Sequence, residues 1–377
     1  MNYYKRVVLD DFHSKLKPNK VLILLGARRV GKTQLIKKYL QTSNEKVLQL
    51  NGEDSNDARL LEERSVANYT KLLQDISILV IDEAQNITEI GQILKLIVDS
   101  IEGIKVIATG SSMFDLANKL GEPLVGRKNT IFLFPLAQIE FLQFENYKQT
   151  IENLEERLIY GGYPELTHHE SWYEKKDYLK EIVNSYLLKD ILIFDGIKNS
   201  DKIYDLLRLI AFQVGKEVSL QELGNQLNMS KNTVERYLNL LSKVFIIFKI
   251  EGFSRNLRKE ITKSSRWYFY DNGIRNAIIN NFNTLQNRTD VGDLWENYLA
   301  SERMKKQEYH KMFKQNYFWR TYDQQELDWL ETEAETIAGF EFKWNENKKS
   351  KIPTAFAKAY PEATFEVINK QNYLDFI

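Results

Sequence analysis

Through its first third the chain alternates short apolar runs with segments of helical spacing. Residues 21–25, 47–50, 76–81, 105–109 and 130–134 are strand-length and mostly apolar, a pattern expected of strands covered on both faces. Residues 32–40 open a helix directly after the first run, and residues 87–101 carry helical spacing between two later runs. This predicts an α/β layout around a mostly parallel sheet. From about residue 151 the pattern turns helical. Gly161-Gly162-Tyr163-Pro164 interrupts it, and residues 178–193 resume it. Residues 201–279 read as three helical stretches and then a β-ribbon. From about residue 290 come a helix, short strands and a last helix near residues 353–360. The breaks divide the chain into residues 1–150, 151–200, 201–285 and 286–377.

Composition changes this picture little. Across 377 residues, 43% are hydrophobic and 28% charged, an ordinary globular balance for a chain of several domains. Lys plus Arg and Asp plus Glu are both 52, so any nucleic-acid site has to be local. The absence of cysteine excludes disulfides, cysteine-ligated zinc and thiol catalysis, and points to a reducing cytoplasm. The four histidines lack metal-ligand spacing. The first residues lack the apolar stretch of a signal peptide, and no run approaches membrane-spanning length, so no membrane partner is expected.

The sharpest chemical signal follows the first apolar run. Gly26-Ala27-Arg28-Arg29-Val30-Gly31-Lys32-Thr33 fits G-x-x-x-x-G-K-[ST] between a strand and a helix. The glycines let backbone N–H groups curl around phosphate, and the helix N-terminus adds partial positive charge. Residues Gly26 to Thr33 and the following Gln34 are the expected ATP-binding segment; Lys32 reaches the β- and γ-phosphates and Thr33 ligates Mg²⁺. A second motif, Ile78-Leu79-Val80-Ile81-Asp82-Glu83, ends an apolar run on two acids. Asp82 is expected to hold Mg²⁺ and Glu83 to position or activate the attacking water, giving ATP hydrolysis. Thr109-Gly110-Ser111-Ser112 has two readings, a hydroxyl that senses the γ-phosphate or a plain Gly-Ser turn. Arg127 has three: a transition-state arginine in cis, one supplied by a neighbouring copy in a homo-oligomer, or a surface residue.

Further along, residues 219–227 and 231–241 read as two capped helices joined at Asn228-Met229, followed by strands at 245–249 and 267–270. That is a winged helix. Lys231, Asn232, Thr233 and Arg236 face outward and suit DNA, with basic charge at Ser254-Arg255-Asn256-Leu257-Arg258-Lys259. Winged helices also serve as protein-binding modules, and Glu235 lies on the same helix. Near the C-terminus, Glu341-Phe342-Lys343 and Glu326-Leu327-Asp328 each place two charged residues on one strand face, as arms of a hairpin turning near residues 333–335. Glu296 lies on a preceding helix. This is the order of acids and lysine used in Mg²⁺-dependent phosphodiester cleavage: Asp328 and Glu341 as metal ligands, Lys343 at the attacking water and Glu296 in support. A solvated strand face is the competing reading.

With these residues in place, the chain resembles a family of prokaryotic AAA-type P-loop ATPases that carry a C-terminal PD-(D/E)XK nuclease-like domain of unknown function. The likeness runs nearly end to end. Besides the motifs above it rests on Gly126-Arg127, Gly161-Gly162-Tyr163-Pro164-Glu165, Lys189-Asp190, Tyr268 to Gly273, Trp295-Glu296-Asn297 and Trp319-Arg320-Thr321. The resemblance implies an AAA-type ATPase domain in residues 1–150, a helical lid in 151–200, a winged helix in 201–285 and a restriction-nuclease-like α/β domain in 286–377. One departure is Asp271-Asn272-Gly273-Ile274, where the family often has Asp-Thr-Gly-Leu. Three functions follow as expectations: an ATPase whose rear modules bind or process DNA, an ATP switch whose rear modules bind a protein and cut nothing, or a DNA-binding regulator that uses ATP only to set its oligomeric state.

Overall fold

The computed structural model describes residues 4–112, 124–187, 200–254, 265–321, 323–347 and 350–377. Lys189-Asp190 and the basic stretch from Arg255 to Lys259 lie outside them. The chain divides into two compact units, one made of Met1–Phe134 with Lys243–Phe245, the other of Pro135–Ser242 with Ile246–Ile377.

In the first unit the described strands are β1 (Lys20–Leu25), β2 (Val47–Asn51), β3 (Ile78–Asp82), β4 (Lys105–Gly110) and β5 (Lys128–Phe132). They form one sheet in the order β2-β3-β4-β1-β5, with every pairing parallel. The interior strands are buried along nearly their whole length, which explains the unbroken apolar runs. Before β1 comes α1 (Leu9–Lys15), and between the strands run α2 (Lys32–Leu40), α3 (Ser55–Glu62), α4 (Val66–Leu72) and α5 (Ile90–Ser100). On α5, Ile90, Leu94 and Ile97 repeat at helical spacing and are fully buried. Because β1 lies between β4 and β5, the loop after β1 opens at a point where the sheet order reverses, the usual crevice for a ligand in such sheets.

The second unit begins with α6 (Gln138–Phe141), α7 (Tyr147–Glu152), α8 (Leu154–Tyr160) and α9 (Trp172–Glu181), the last running into a π-helical segment, Ile182–Leu187. Then come α10 (Ser200–Phe212), β6 (Glu217–Val218), α11 (Leu220–Leu227), α12 (Lys231–Lys243), β7 (Ile247–Gly252) and β8 (Ser265–Phe269). Ser219 caps α11 by accepting from Glu222 N at 3.3 Å, and Ser230 accepts from Thr233 N at 3.1 Å to open α12. Gly224 makes the tight helix–helix approach possible, since a Cβ there would stand 2.6 Å from Met229 O. Val234, Leu238 and Leu241 of α12 are buried, while Lys231, Asn232, Glu235 and Arg236 are exposed.

The remaining elements are α13 (Asn272–Ile278), α14 (Val291–Tyr309), β9 (Gln315–Arg320), β10 (Glu326–Glu333), β11 (Thr336–Phe342), α15 (Thr354–Ala359), β12 (Thr364–Ile368) and α16 (Tyr373–Phe376). The ribbon β7–β8 does not stand apart from them. All seven described strands form one mixed sheet, β12-β11-β10-β9-β7-β8-β6, in which β7 joins β9 through Glu251↔Tyr317 and Gly252↔Phe318. Trp319, Leu327, Leu330, Phe356 and Tyr360 form a core against the β9–β10 part of this sheet.

Several motifs scattered through the sequence meet in a buried polar hub of the second unit. The Asp271 carboxylate accepts from Gly162 N at 2.7 Å and from Ile274 N at 3.1 Å, capping α13; burial raises it above the usual carboxylate range. Gly161 is obligatory beside it, with φ at +77° and room for no Cβ against Asp271. Asn272 donates to Leu158 O and Leu294 O, and Asn297 exchanges hydrogen bonds with both backbone groups of Phe269. These residues therefore perform packing work rather than chemistry.

Candidate functional site

The loop from Gly26 to Thr33 links β1 to α2 at the C-terminal edge of the first sheet. Gly26 has to lack a side chain because a Cβ would lie 2.0 Å from Leu133 O. Gly31, with φ at +96°, turns the loop into α2. Lys32 is buried, and its ammonium donates to Gly26 O at 2.8 Å and Ala27 O at 3.0 Å, holding it across the loop. Ala27 and Val30 are buried, while Arg29, Thr33 and Gln34 are exposed. Arg28 faces Glu53 at 3.9 Å, a distant and half-exposed pair. Arg6, which no motif indicated, fastens the loop from outside: it donates to Val30 O at 2.7 Å and Phe134 O at 2.6 Å.

Asp82, at the end of β3, is separated from β1 by β4, and hydroxyls bridge the gap. Thr33 Oγ1 donates to Asp82 Oδ2 at 2.9 Å. Thr109 Oγ1, on β4, donates to Asp82 Oδ1 and accepts from Glu83 N at 3.0 Å. The phosphate-sensing reading of Thr109 is thereby replaced: the side chain is fully buried and its proton is committed to Asp82, so it positions the acids rather than facing a phosphate. Glu83 sits in a left-handed corner, φ +48°, that Gly52 closes from the other side, since a Cβ there would stand 2.4 Å from Glu83 O. Beyond the corner the buried Gln85 donates to Glu83 Oε2 at 2.5 Å and to Ser111 Oγ at 3.3 Å. Neither Gly52 nor Gln85 carried a motif signal beyond adjacency to Asp82 and Glu83.

Arg127 lies away from the P-loop. In an all-parallel sheet the residue before a strand lies at the edge opposite the ligand crevice. Arg127 precedes β5, its carbonyl accepts from Val21 N at the start of β1, and its guanidinium pairs with Asp99 at 2.6 Å. The P-loop opens at the far end of β1, roughly 13 Å away at about 3.3 Å per residue. A role in cis at the phosphates is excluded by that placement.

In the second unit Glu296, Asp328, Glu341 and Lys343 do come together, from α14, β10 and the end of β11. They do so around a cation that sequence reasoning missed. Arg266, at the start of β8, is 4% exposed; its Nη2 meets Glu326 at 2.8 Å, and its Nη1 lies 3.7 Å from Glu296 and 3.8 Å from Asp328. The guanidinium also stacks over Phe318 at 4.5 Å. Burial alone would lower the Arg266 pKa, but Tyr268 and the acids Glu296, Asp328 and Glu326 raise it instead. The one available signal was a lone arginine heading an apolar strand.

Burial, and then the neighbouring Asp328 charge, pushes Glu296 up to about 8, and Tyr268 OH donates to it at 2.7 Å. Burial also raises Asp328, against the Phe342 N–H that it accepts at 2.8 Å, and raises Glu341. Lys343 is ion-paired with Glu341, which lifts it above its ordinary value against the opposing effect of burial. Among the described residues no group of three or more His, Cys, Asp or Glu side chains converges as a metal site. The expected Mg²⁺ ligands Asp328 and Glu341 each lie against an internal cation, Arg266 at 3.8 Å from Asp328 and Lys343 paired with Glu341.

Residues 18–142 match the family described as an AAA domain. The first unit is a P-loop AAA-type ATPase fold. Behind this AAA domain, residues 151–285 and 291–374 match two domains of unknown function, DUF8612 and DUF4143. An uncharacterised protein of Methanocaldococcus jannaschii is 28% identical over 271 residues, covering 66% of this chain and 60% of that protein. An uncharacterised protein of Haemophilus influenzae is 26% identical over 283 residues, 69% of each. The solved Walker-type ATPase of Pyrococcus abyssi aligns over 74% of this chain and 96% of its own with a TM-score of 0.51 and 16% identity, a likeness of fold. Among the described residues no helix is long and apolar enough to cross a membrane.

Proposed function

We propose that the chain is a Mg²⁺-dependent ATPase whose AAA domain drives a second, non-cleaving unit. One observation carries the first half. Thr33, in the first turn of α2, and Asp82, at the end of β3, meet at 2.9 Å beside the buried Lys32. This hard-oxygen pair next to a lysine-bearing anion loop suits Mg²⁺ and a triphosphate. Backbone N–H groups from Gly26 to Thr33 and the Lys32 ammonium bind the phosphates, with Gln34 at the start of α2 beside them. Thr33 and Asp82 hold the ion, which when bound neutralises phosphate charge. Glu83 orients the attacking water and takes its proton. Phosphate release from MgATP by the full chain, compared with Lys32→Ala, tests this; no MgATP binding by the unsubstituted chain would sink it.

Arg266 supports the second half. A winged-helix and nuclease-like module whose carboxylates Glu296 and Asp328 face its own buried guanidinium favours a regulatory switch that grips a partner over one that cuts nucleic acid. Mg²⁺-dependent nicking lost in Asp328→Ala would reverse that choice. A DNA-contacting reading keeps one observation in its favour, the exposed Lys231, Asn232 and Arg236 on α12. It predicts duplex binding that weakens steeply with salt and is reduced in Arg236→Ala.

A further inference from the structure

Glu83 cannot act as a water-orienting base merely by being near the phosphates. A glutamate has three rotatable side-chain bonds, and its carboxylate has to be held in one place to be useful. The backbone of Glu83 is already pinned. Its N–H is bonded to Thr109 Oγ1, and its carbonyl lies against Gly52, whose own N–H donates to Asp82 O at 2.8 Å. What remains free is the side chain, and the structure places one buried amide against it.

We infer that Gln85 is the positioning residue for Glu83. Its Nε2 is shared between Glu83 Oε2 at 2.5 Å and Ser111 Oγ at 3.3 Å, so the carboxylate of β3's end is tied to the end of β4. Both Gln85 and Ser111 are buried, at 6% and 3% exposure, so water cannot easily replace the amide. Gln85 belongs to the short helical turn Ala84–Asn86, whose closing N–H of Ile87 bonds back to Ala84 O at 3.1 Å, which fixes the backbone from which the amide reaches Glu83. An amide suits this task because it donates to a carboxylate without carrying a charge of its own. The same turn couples Glu83 to β4, the strand that also holds Asp82 through Thr109. The base and the Mg²⁺ ligand are thus referred to one strand end.

This inference rests on the ATPase reading, and the experiment separates the two. MgATP affinity, by displacement of a fluorescent ATP analogue, and single-turnover hydrolysis are measured on the full chain, on Gln85→Leu, on Glu83→Gln and on the double variant. Gln85→Leu is expected to keep MgATP affinity within about twofold and to hydrolyse about 10- to 100-fold more slowly. The double variant is expected to be no slower than Glu83→Gln alone, because Gln85 acts only through Glu83. A merely structural role would make the two losses multiply and would weaken binding in step with turnover; either result overturns the inference. So does wild-type turnover in Gln85→Leu. Binding without turnover in the unsubstituted chain overturns the ATPase reading itself, and this one with it. If Gln85→Leu does not fold, Ser111→Ala replaces it: about a threefold slowing at unchanged affinity, absent on the Glu83→Gln background, supports the inference, and unchanged turnover overturns it.

Discussion

In the first unit Asp82 takes its hydrogen bonds from two hydroxyls, Thr33 and Thr109; in the second, Asp328 and Glu296 face the guanidinium of Arg266. Both are clusters of acids, and from the sequence both read as Mg²⁺ sites. The difference lies in what neutralises them. Hydroxyls satisfy the lone pairs of a carboxylate but leave its charge, so that cluster is ready for a cation from outside. In the other cluster Tyr268 and the Phe342 N–H meet the lone pairs, and a buried guanidinium 3.7 Å from Glu296 and 3.8 Å from Asp328 supplies positive charge from within. The partner of an acid, more than the acid, separates a site that receives an ion from one that is part of the framework.

The largest expected effect lies at the first cluster. Lys32→Ala should lower phosphate release by about 10²–10³-fold while leaving urea unfolding of the second unit where it was. An active variant would place the phosphates elsewhere. Next, Arg266→Ala should destabilise the second unit by about 3–5 kcal/mol, since it strands buried acids, with MgATP affinity unchanged. Replacing Arg266 by Met together with Glu296→Gln and Asp328→Asn should cost less than Arg266→Ala alone. Wild-type unfolding of Arg266→Ala would dissolve the contrast between the clusters.

A smaller, pH-dependent effect follows from Glu296. Its carboxyl binds a proton more tightly folded than unfolded, rising from 4.5 to about 8 under burial and the Asp328 charge, with Arg266, Tyr268 and Lys216 opposing. Its contribution to stability is whole below about pH 4.5 and is lost as pH rises through about 8, at no more than about 1.4 kcal/mol per pH unit. Denaturant unfolding between pH 5 and pH 9 should slope downward in the unsubstituted chain and flatten in Glu296→Gln; equal slopes would count against the account. The smallest effect should come from Arg127→Ala. Its charge lies beyond a Debye length from the loop, so turnover of a single copy should change by less than about twofold. A fall that appears only as protein concentration rises would reassign Arg127 to a neighbouring copy.

The P-loop and the Asp82-Glu83 corner were legible because each is local: a few consecutive residues specify both the turn and the chemistry. The helix pair at α11–α12 was legible for the same reason, with Ser219 and Ser230 where caps were expected. Arg127 was misplaced because adjacency along the chain was taken for adjacency in space, although the parallel order of the sheet sends the residue before a strand to the wrong edge. The hairpin carrying Asp328, Glu341 and Lys343 was legible from strand alternation and Glu296 from the order of the acids, but not Arg266, which comes from a strand far upstream and carries no motif. Thr109 was read for its hydroxyl, and its true partners depended on β4 lying between β1 and β3, which spacing alone does not reveal.

The single sheet of the second unit has a consequence for how the chain can be divided. The two regions matched as separate families, residues 151–285 and 291–374, share β7–β9 pairing and the Asn272–Asn297 hydrogen bond across their boundary. A cut between them would leave each fragment with a bare strand edge and a broken polar core, the makings of an aggregating piece rather than a free domain. What matches as two domains is therefore expected to fold as one.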